Sequence, residues 1–254
     1  MQNNKKTSWG GVAKWYHELL EGEGTYQKDL ILPNLLRLLD IKKGHKILDL
    51  ACGQGFFARE FYKQGAEVVG VDISEELICI AKKNSPKQIE FKMASADKLS
   101  FIKDKSIDKT AIILAAQNIE NIQGVFKESS RILKDGGGLY IILNHPAFRV
   151  PKASSWEWDE EGKIQFRRID AYLSESRSKI QMHPGDKPKE YTLSFHRPLQ
   201  VYFKALQKNG FCVSRLEEWN SHKKSRPGPR AAAENRARKE IPLFLFMEAI
   251  KKRD

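Results

Sequence analysis

Apolar residues follow two rhythms along this chain. Short, nearly continuous apolar runs at 47–50, 67–72, 89–93 and 107–114 alternate with stretches in which apolar positions recur every three or four residues. Runs of the first kind predict strands buried on both faces, and stretches of the second kind predict amphipathic helices. Helices are expected at 12–20, 30–39 and 56–64, the last stopped by Gly65. A further helix should start at Ser74, an N-cap followed by Glu75 and Glu76, and run to about Asn84 before Pro86. Another is expected over 125–133, capped by the glycines 136–138, before a buried strand that ends at Asn144. Near the end, 198–209 reads as a helix with Gly210 after it, and 211–219 and 242–250 read as strands joined as an antiparallel hairpin. Strand and helix alternating in this way predict an α/β fold around a parallel sheet.

The chemistry concentrates in Lys46-Ile47-Leu48-Asp49-Leu50-Ala51-Cys52-Gly53-Gln54-Gly55-Phe56-Phe57-Ala58. A buried strand that enters a Gly-rich turn and then a helix is a nucleotide-cofactor element. Its glycines let the backbone approach a ligand, and the helix start offers free N–H groups. The next predicted strand ends at Asp72, 23 residues after Asp49, where a carboxylate can accept ribose hydroxyls. A Gly-x-Gly-x-x-Ala run with a later acid also suits a nicotinamide-dependent dehydrogenase. Asp49 inside the motif and the terminal antiparallel hairpin disfavour that reading.

The motif, together with Leu133-Lys134-Asp135-Gly136-Gly137-Gly138 and the strand after it, resembles class I S-adenosylmethionine (SAM) dependent methyltransferases of the ubiquinone/menaquinone-methylase-like group over residues 10–144. The resemblance implies a Rossmann-like α/β sheet, mostly parallel and seven-stranded, with a C-terminal antiparallel hairpin and helices on both faces. It implies SAM as cofactor and S-adenosylhomocysteine as product. Ala51, Gly53 and Gly55 would line the methionine part and Asp49 would orient its amino end. Asp72 and Ile73 would meet the ribose, Ser95 and Ala96 the adenine, with Gln117 and Tyr26 also on the cofactor. Ala51 stands where such enzymes more often carry Gly, a change compatible with an ordinary backbone angle there. Ser95 stands where they usually carry an Asp, with Asp97 as a possible substitute. The Asn/Asp-Pro-Pro-Tyr/Phe signature of amino-group methylases is absent.

On the acceptor side, ligands in such sheets lie beyond the carboxyl ends of the strands. Asn118, Asn144 and Tyr16 are candidates to border the acceptor, and His145, after the last parallel strand, is the candidate general base. The equal alternative for His145 is a structural bond that shapes the Pro146 turn. Residues 147–195 read as a long irregular insertion, rich in aromatics including Trp156, that would form a lid or pocket wall; a strand pair or sub-core is the alternative. His183 and His196 read as structural, and neither histidines nor cysteines show metal-ligand spacing.

Composition changes this picture little. The 254 residues suffice for one large domain, divided by the reading above into an N-terminal helical lid segment (1–44), a cofactor core (45–144), a substrate-side insertion (145–196) and a C-terminal helix and hairpin (197–254). Residues 1–8 are polar, the start lacks the apolar stretch of a signal peptide, and no run could span a bilayer, so the expected location is cytoplasmic. Three scattered cysteines suggest no disulfide framework. The net charge of +12 is spread along the chain, with one late cluster between Lys223 and Lys239. A small-molecule acceptor, aromatic or apolar, is the first expectation. RNA or protein as substrate through the basic segment, and a non-catalytic SAM-binding protein, are the alternatives.

Overall fold

The computed structural model describes residues 9–182 and 190–253; His183 and residues 1–8 lie outside the described residues. A short 3-10 turn, Gly10–Val12, enters helix α1, Ala13–Glu21, and a widened turn over Gln27–Ile31 leads into α2, Leu32–Leu39. The alternating part follows: β1 (Lys46–Leu50), α3 (Phe56–Lys63), β2 (Glu67–Asp72), α4 (Glu75–Lys83), β3 (Glu90–Met93), β4 (Ile107–Ile113), α5 (Ile122–Ile132) and β5 (Leu133–Asn144). Two hairpins come next, β6 (Ser154–Asp159) with β7 (Ile164–Ile169) and β8 (Ser176–Gln181) with β9 (Tyr191–His196). Helix α6 (Leu199–Lys208), β10 (Phe211–Trp219), α7 (Ala231–Glu240) and β11 (Phe244–Lys251) complete the chain.

Seven strands form one sheet in the order β10-β11-β5-β4-β1-β2-β3. β1 through β5 pair in parallel, while β11 runs antiparallel to both β5 and β10. The strand order reverses between β1 and β4, and in an open sheet of this kind that switch point opens a crevice at the carboxyl ends of the strands. Alternate residues of each strand point to opposite faces. Ile47, Val68 and Ile142 therefore join a core with Leu35, Leu39 and Phe61 of α2 and α3. Leu48, Val71 and Ile141 join the other, with Phe126, Tyr202 and Leu206 of α5 and α6. Each large apolar side chain buried in these layers contributes on the order of 1.5–3 kcal/mol. Local signals act as anticipated at α4, where Ser74 Oγ accepts from the Leu77 N–H at 3.3 Å.

Two expectations need correction. The glycines 136–138 do not cap a helix. α5 passes directly into extended backbone at Leu133, and the β4–β5 register jumps from Ile107↔Leu133 to Lys109↔Gly138. The glycines thus form a bulge inside β5, with Gly136 at φ 77° absorbing the extra residues. The insertion is not one irregular segment: the strand-pair alternative holds, since its described part carries two antiparallel hairpins, each a sheet of its own, between short loops. Its aromatics escape a helical period because Trp156, Trp158, Phe166, Tyr191 and Phe195 sit on strands, with Phe148 and Tyr172 in the turns between. Among the described residues, no helix is long and apolar enough to cross a membrane.

Candidate active site

The turn after β1 is held by β2. Cys52 N–H donates to Val71 O, and Gly53 N–H donates to Asp72 Oδ2, both at 2.9 Å. Asp72 Oδ1 accepts from Ser74 N–H at 2.9 Å, so one carboxylate ties the glycine turn to the start of α4. Ala51 lies at φ 61°, in the left-handed region, so the ordinary backbone angle that would make alanine a free replacement for glycine is not met. Leu114, just beyond β4, is also left-handed at φ 54°. The chain therefore bends sharply on both sides of the switch point, at residues with a Cβ, and such strain gathers at functional sites. Gly53 is open to the outside: a Cβ there would meet only Tyr16 Cε1, at 3.5 Å. Gly55 faces inward instead. A Cβ on it would come within 2.8 Å of Phe91, so its lack of a side chain serves the packing of α3 and α4 against β3, and it borders none of the three cavities that follow.

Three adjoining cavities lie at this end of the sheet. One of about 140 Å³ sits over the glycine turn, bounded by Asp49, Ala51, Gly53, Asp72 and the Tyr16 ring. A second, of about 360 Å³, continues past Asp72 and Ile73 to Ser95, Ala96, Asp97 and Asn121. The third, of about 450 Å³, lies between Gln117, Asn144, the start of the insertion and the β8–β9 hairpin. Asn118 borders all three and is fixed by donating from Nδ2 to Leu193 O at 2.8 Å. Arg197, at the end of β9, donates to Ile119 O and Glu120 O, so the second hairpin is fastened to the exit of β4.

The electrostatics of the small cavity follow from strand alternation. Asp49 shares its face with Ile47 and so points into the α2/α3 core rather than to water. It is 1% exposed, and its Oδ2 has no hydrogen-bond partner. Burial pushes its carboxyl from the usual 3.8 up to about 7, against a backbone hydrogen bond from Ala58 and helped by the Asp72 charge. Asp72 is also raised by burial, which the N–H groups of Ser74, Gly53 and Ile73 oppose. Between these acids the Tyr16 hydroxyl is pushed up to about 12, by burial first and then by both carboxylates. The concentrated negative charge suits a ligand with a cationic group. In the second cavity Ser95 Oγ donates to Asp97 Oδ1 at 2.5 Å and Asn121 Nδ2 to Asp97 Oδ2 at 2.6 Å, which places the Asp97 carboxylate beside the Ser95 hydroxyl.

Besides Gly55, three anticipated residues lie away from these cavities: His145, Tyr26 and Trp156. His145 is 1% exposed and borders none of the three cavities. Its Nδ1 accepts from Ala147 N–H at 3.2 Å, which leaves Nε2–H to donate to Glu218 Oε1 at 2.7 Å. Burial lowers its pKa, against the pull of Glu218, so it is a neutral imidazole with both nitrogens committed, pinning the turn after β5. Tyr26 donates or accepts at Ser221 Oγ and packs edge-on against Phe244 and His222, behind the sheet end rather than in a cavity. Trp156 lies against Gln165, Glu234 and Arg238. Tyr16 does border the large cavity, as expected of the acceptor side, and covers the glycine turn as well. Of the remaining residues, Asp49, Ala51, Gly53, Asp72, Ile73, Ser95 and Ala96 come together around the first two cavities, and Gln117 and Asn144 around the third. Sequence reasoning missed Trp9, Arg149, Lys152 and Arg167. Only folding of the insertion brings the last three together, and their sole trace in sequence is cationic residues among aromatics.

Residues 48–141 match the methyltransferase domain family. The fold around them is that of class I SAM-dependent methyltransferases. The chain is 33% identical over 113 residues to the demethylmenaquinone methyltransferase of Tropheryma whipplei (strain Twist), covering 43% of this chain and 46% of that one. With the demethylmenaquinone methyltransferase of Chlorobaculum tepidum it shares 35% identity over 127 residues, covering 50% and 52%. The chain spans about half the length of the curated relatives it matches. The crystal structure of an S-adenosylmethionine dependent methyltransferase from Mesorhizobium loti superposes with a TM-score of 0.69 at 28% identity, over 86% of this chain and 96% of that one. The cofactor of such a domain brings an ammonium, a sulfonium, a ribose and an adenine. The two smaller cavities fit it: they hold an orphaned buried carboxylate oxygen on Asp49, a gap over Gly53 and a second carboxylate at the end of β2.

Proposed function

We propose that this chain transfers the methyl group of SAM to a small aromatic or apolar acceptor held in the 450 Å³ cavity. The observation that carries this reading is the sharing of walls: Trp9, Tyr16, Leu114 and Asn118 border both that cavity and the one over the glycine turn. A group bound over Gly53 and a molecule in the larger cavity would therefore be neighbours. Indole rings and Ile180, Met182 and Val150 supply apolar walls on the acceptor side. The names of the curated relatives, demethylmenaquinone methyltransferases, support a quinone-like ring as one acceptor chemistry.

On this reading residues 45–144 hold the cofactor, the first helices cover it, and 145–196 wall the acceptor. Asp49 neutralises the cofactor's ammonium, Gly53 admits its chain, Asp72 accepts from the ribose, and Ser95, Ala96 and Asp97 surround the adenine. The bound group supplies a methyl carbon already activated by positive sulfur, so the protein's part is alignment and exclusion of water. No group bordering the large cavity is a strong base at neutral pH, because Tyr16 holds its proton to about 12. The basic segment near 223–239 packs on the first hairpin through the Arg230–Glu160 ion pair and Arg230 over Trp158, and shares no wall with the three cavities.

Calorimetric titration with S-adenosylhomocysteine, beside NAD, tests the reading. Binding of the first alone is expected, and Asp72→Asn should weaken it at least tenfold while also lowering the melting temperature, since the amide keeps only one of the two oxygens that accept from Gly53 and Ser74. Unchanged affinity in that variant removes the ribose role; binding of neither ligand removes the methyltransferase reading.

A further inference from the structure

The large cavity holds positive charge with nothing to balance it. Arg149, Lys152 and Arg167 border it, and no Asp or Glu does so among the described residues. Elsewhere arginines pair with acids: Arg37 with Glu217, Arg131 with Glu128 and Asp104, Arg168 with Asp170. Arg149 has no such partner among the described residues; the one group that pulls on its charge is Tyr26. Arg167 is held in place by donating from Nε to Phe148 O at 2.8 Å and from one terminal nitrogen to Ser154 Oγ at 2.7 Å, with its guanidinium over Trp156. That uses two of the five N–H donors of the fork and leaves the others free of any described acceptor.

The two guanidiniums also repel each other. Burial holds both below the usual arginine value, and the charge of Arg149 lowers Arg167 further. Like charges kept close in a recess oppose folding, and an anion between them removes that opposition. An arginine fork matches the two oxygens of a carboxylate or the edge of a phosphate. The remaining walls, Trp9, Trp15, Val150 and Met182 among them, suit an apolar body.

We propose that the methyl acceptor is an anion, an aromatic or apolar molecule whose carboxylate or phosphate is gripped by Arg149 and Arg167, with Lys152 adding charge at the rim. The inference rests on the methyltransferase reading for the word acceptor, and on the cavity alone for the anion.

The test uses the full chain saturated with S-adenosylhomocysteine and follows tryptophan fluorescence, since Trp9 and Trp15 border the cavity. The probes are 4-hydroxybenzoate against 4-hydroxybenzamide, and phenyl phosphate against phenol. At least one anion should bind ten times or more tightly than its uncharged counterpart, and which one does so separates carboxylate from phosphate. Arg149→Gln and Arg167→Gln should each erase that preference while keeping the wild-type affinity for S-adenosylhomocysteine. Should either variant fail to fold, Lys152→Gln and added salt give the same reading on exposed charge, each lowering anion affinity. Equal binding of charged and neutral probes, a preference untouched by the substitutions, or no binding of any probe while S-adenosylhomocysteine binds, overturns the anion assignment and leaves the methyltransferase reading intact. Failure of S-adenosylhomocysteine itself to bind overturns that reading instead, and the anion preference is then judged on the probes alone.

Discussion

Asp49→Asn is expected to change how stability depends on pH more than it changes stability itself. In the folded protein the Asp49 carboxyl is raised from 3.8 to about 7. The folded state therefore keeps a proton that the unfolded chain has released by pH 5. Because the folded pKa is raised, stability falls as pH rises from the unfolded value through the folded one, and the loss is complete above about pH 8. A pKa difference of about 3 corresponds to roughly 4 kcal/mol, of which ~2–3 kcal/mol is lost between pH 5 and pH 8. Asparagine keeps an oxygen for the Ala58 N–H and carries no charge, but it puts amide hydrogens where Asp49 Oδ2 has no partner. Leaving those donors unpaired costs about 1–3 kcal/mol at every pH. Because wild type has already lost about 1–2 kcal/mol by pH 5, the variant should lie near it at pH 5 and be the more stable protein at pH 8. Urea unfolding at pH 5, 6, 7 and 8 at constant ionic strength measures this directly. Parallel stability profiles for the two proteins would refute the account, because the titration of Asp49 would then contribute nothing to folding. S-adenosylhomocysteine gives a second readout: its ammonium should drive the proton off Asp49, so binding near pH 6 should release protons in wild type and fewer in the variant.

Three further outcomes follow from the same geometry. Ala51→Gly removes left-handed strain of about 1–2 kcal/mol and adds chain entropy of about 0.5–1 kcal/mol, so it should be neutral or slightly stabilising; Ala51→Val should lower the melting temperature, and a valine variant as stable as wild type would contradict the φ of 61°. Gly70→Ala would place a Cβ 2.5 Å from Phe91 Cδ1; overpacking of about 1–3 kcal/mol should lower the melting temperature by several degrees, and no change would show that β3 yields easily. His145→Ala should destabilise by about 2–4 kcal/mol through the lost bond to Glu218 and the space left behind, with S-adenosylhomocysteine affinity unchanged; a variant melting with wild type would return His145 to the candidates for proton transfer.

Much of the sheet was legible without coordinates. β1, β2 and β4 are short apolar runs bounded by turn residues, and their burial depends on which residues alternate, a local property. The terminal hairpin was legible for the same reason, and so was the glycine turn, because the left-handed backbone at Gly53 and Gly55 favours glycine. The Ser74 cap needed only four consecutive residues.

What failed depended on contacts between distant parts of the chain. Tyr16 and Tyr26 lie ten residues apart on one segment, yet only Tyr16 reaches the glycine turn, while Tyr26 meets Ser221. His145 stands where a base could stand, and its fate was decided by Glu218 on β10, 73 residues away. Alanine itself imposes no positive φ at 51, and the only hint was that similar enzymes more often carry Gly there; the bend is held by the pairing of Cys52 with Val71 and Gly53 with Asp72.

The amino-acid order alone therefore determined the α/β layering, the glycine turn after β1 and the acid at the end of β2, because each is written in spacing between near neighbours. The tertiary structure alone decided which side chains share a cavity. Arg149 and Arg167 lie 18 residues apart, across a loop and a hairpin strand, and nothing in their local pattern brings them together. Hydrogen bonds from Arg167 to Phe148 O and Ser154 Oγ do so, and they form only once the chain has folded back on itself.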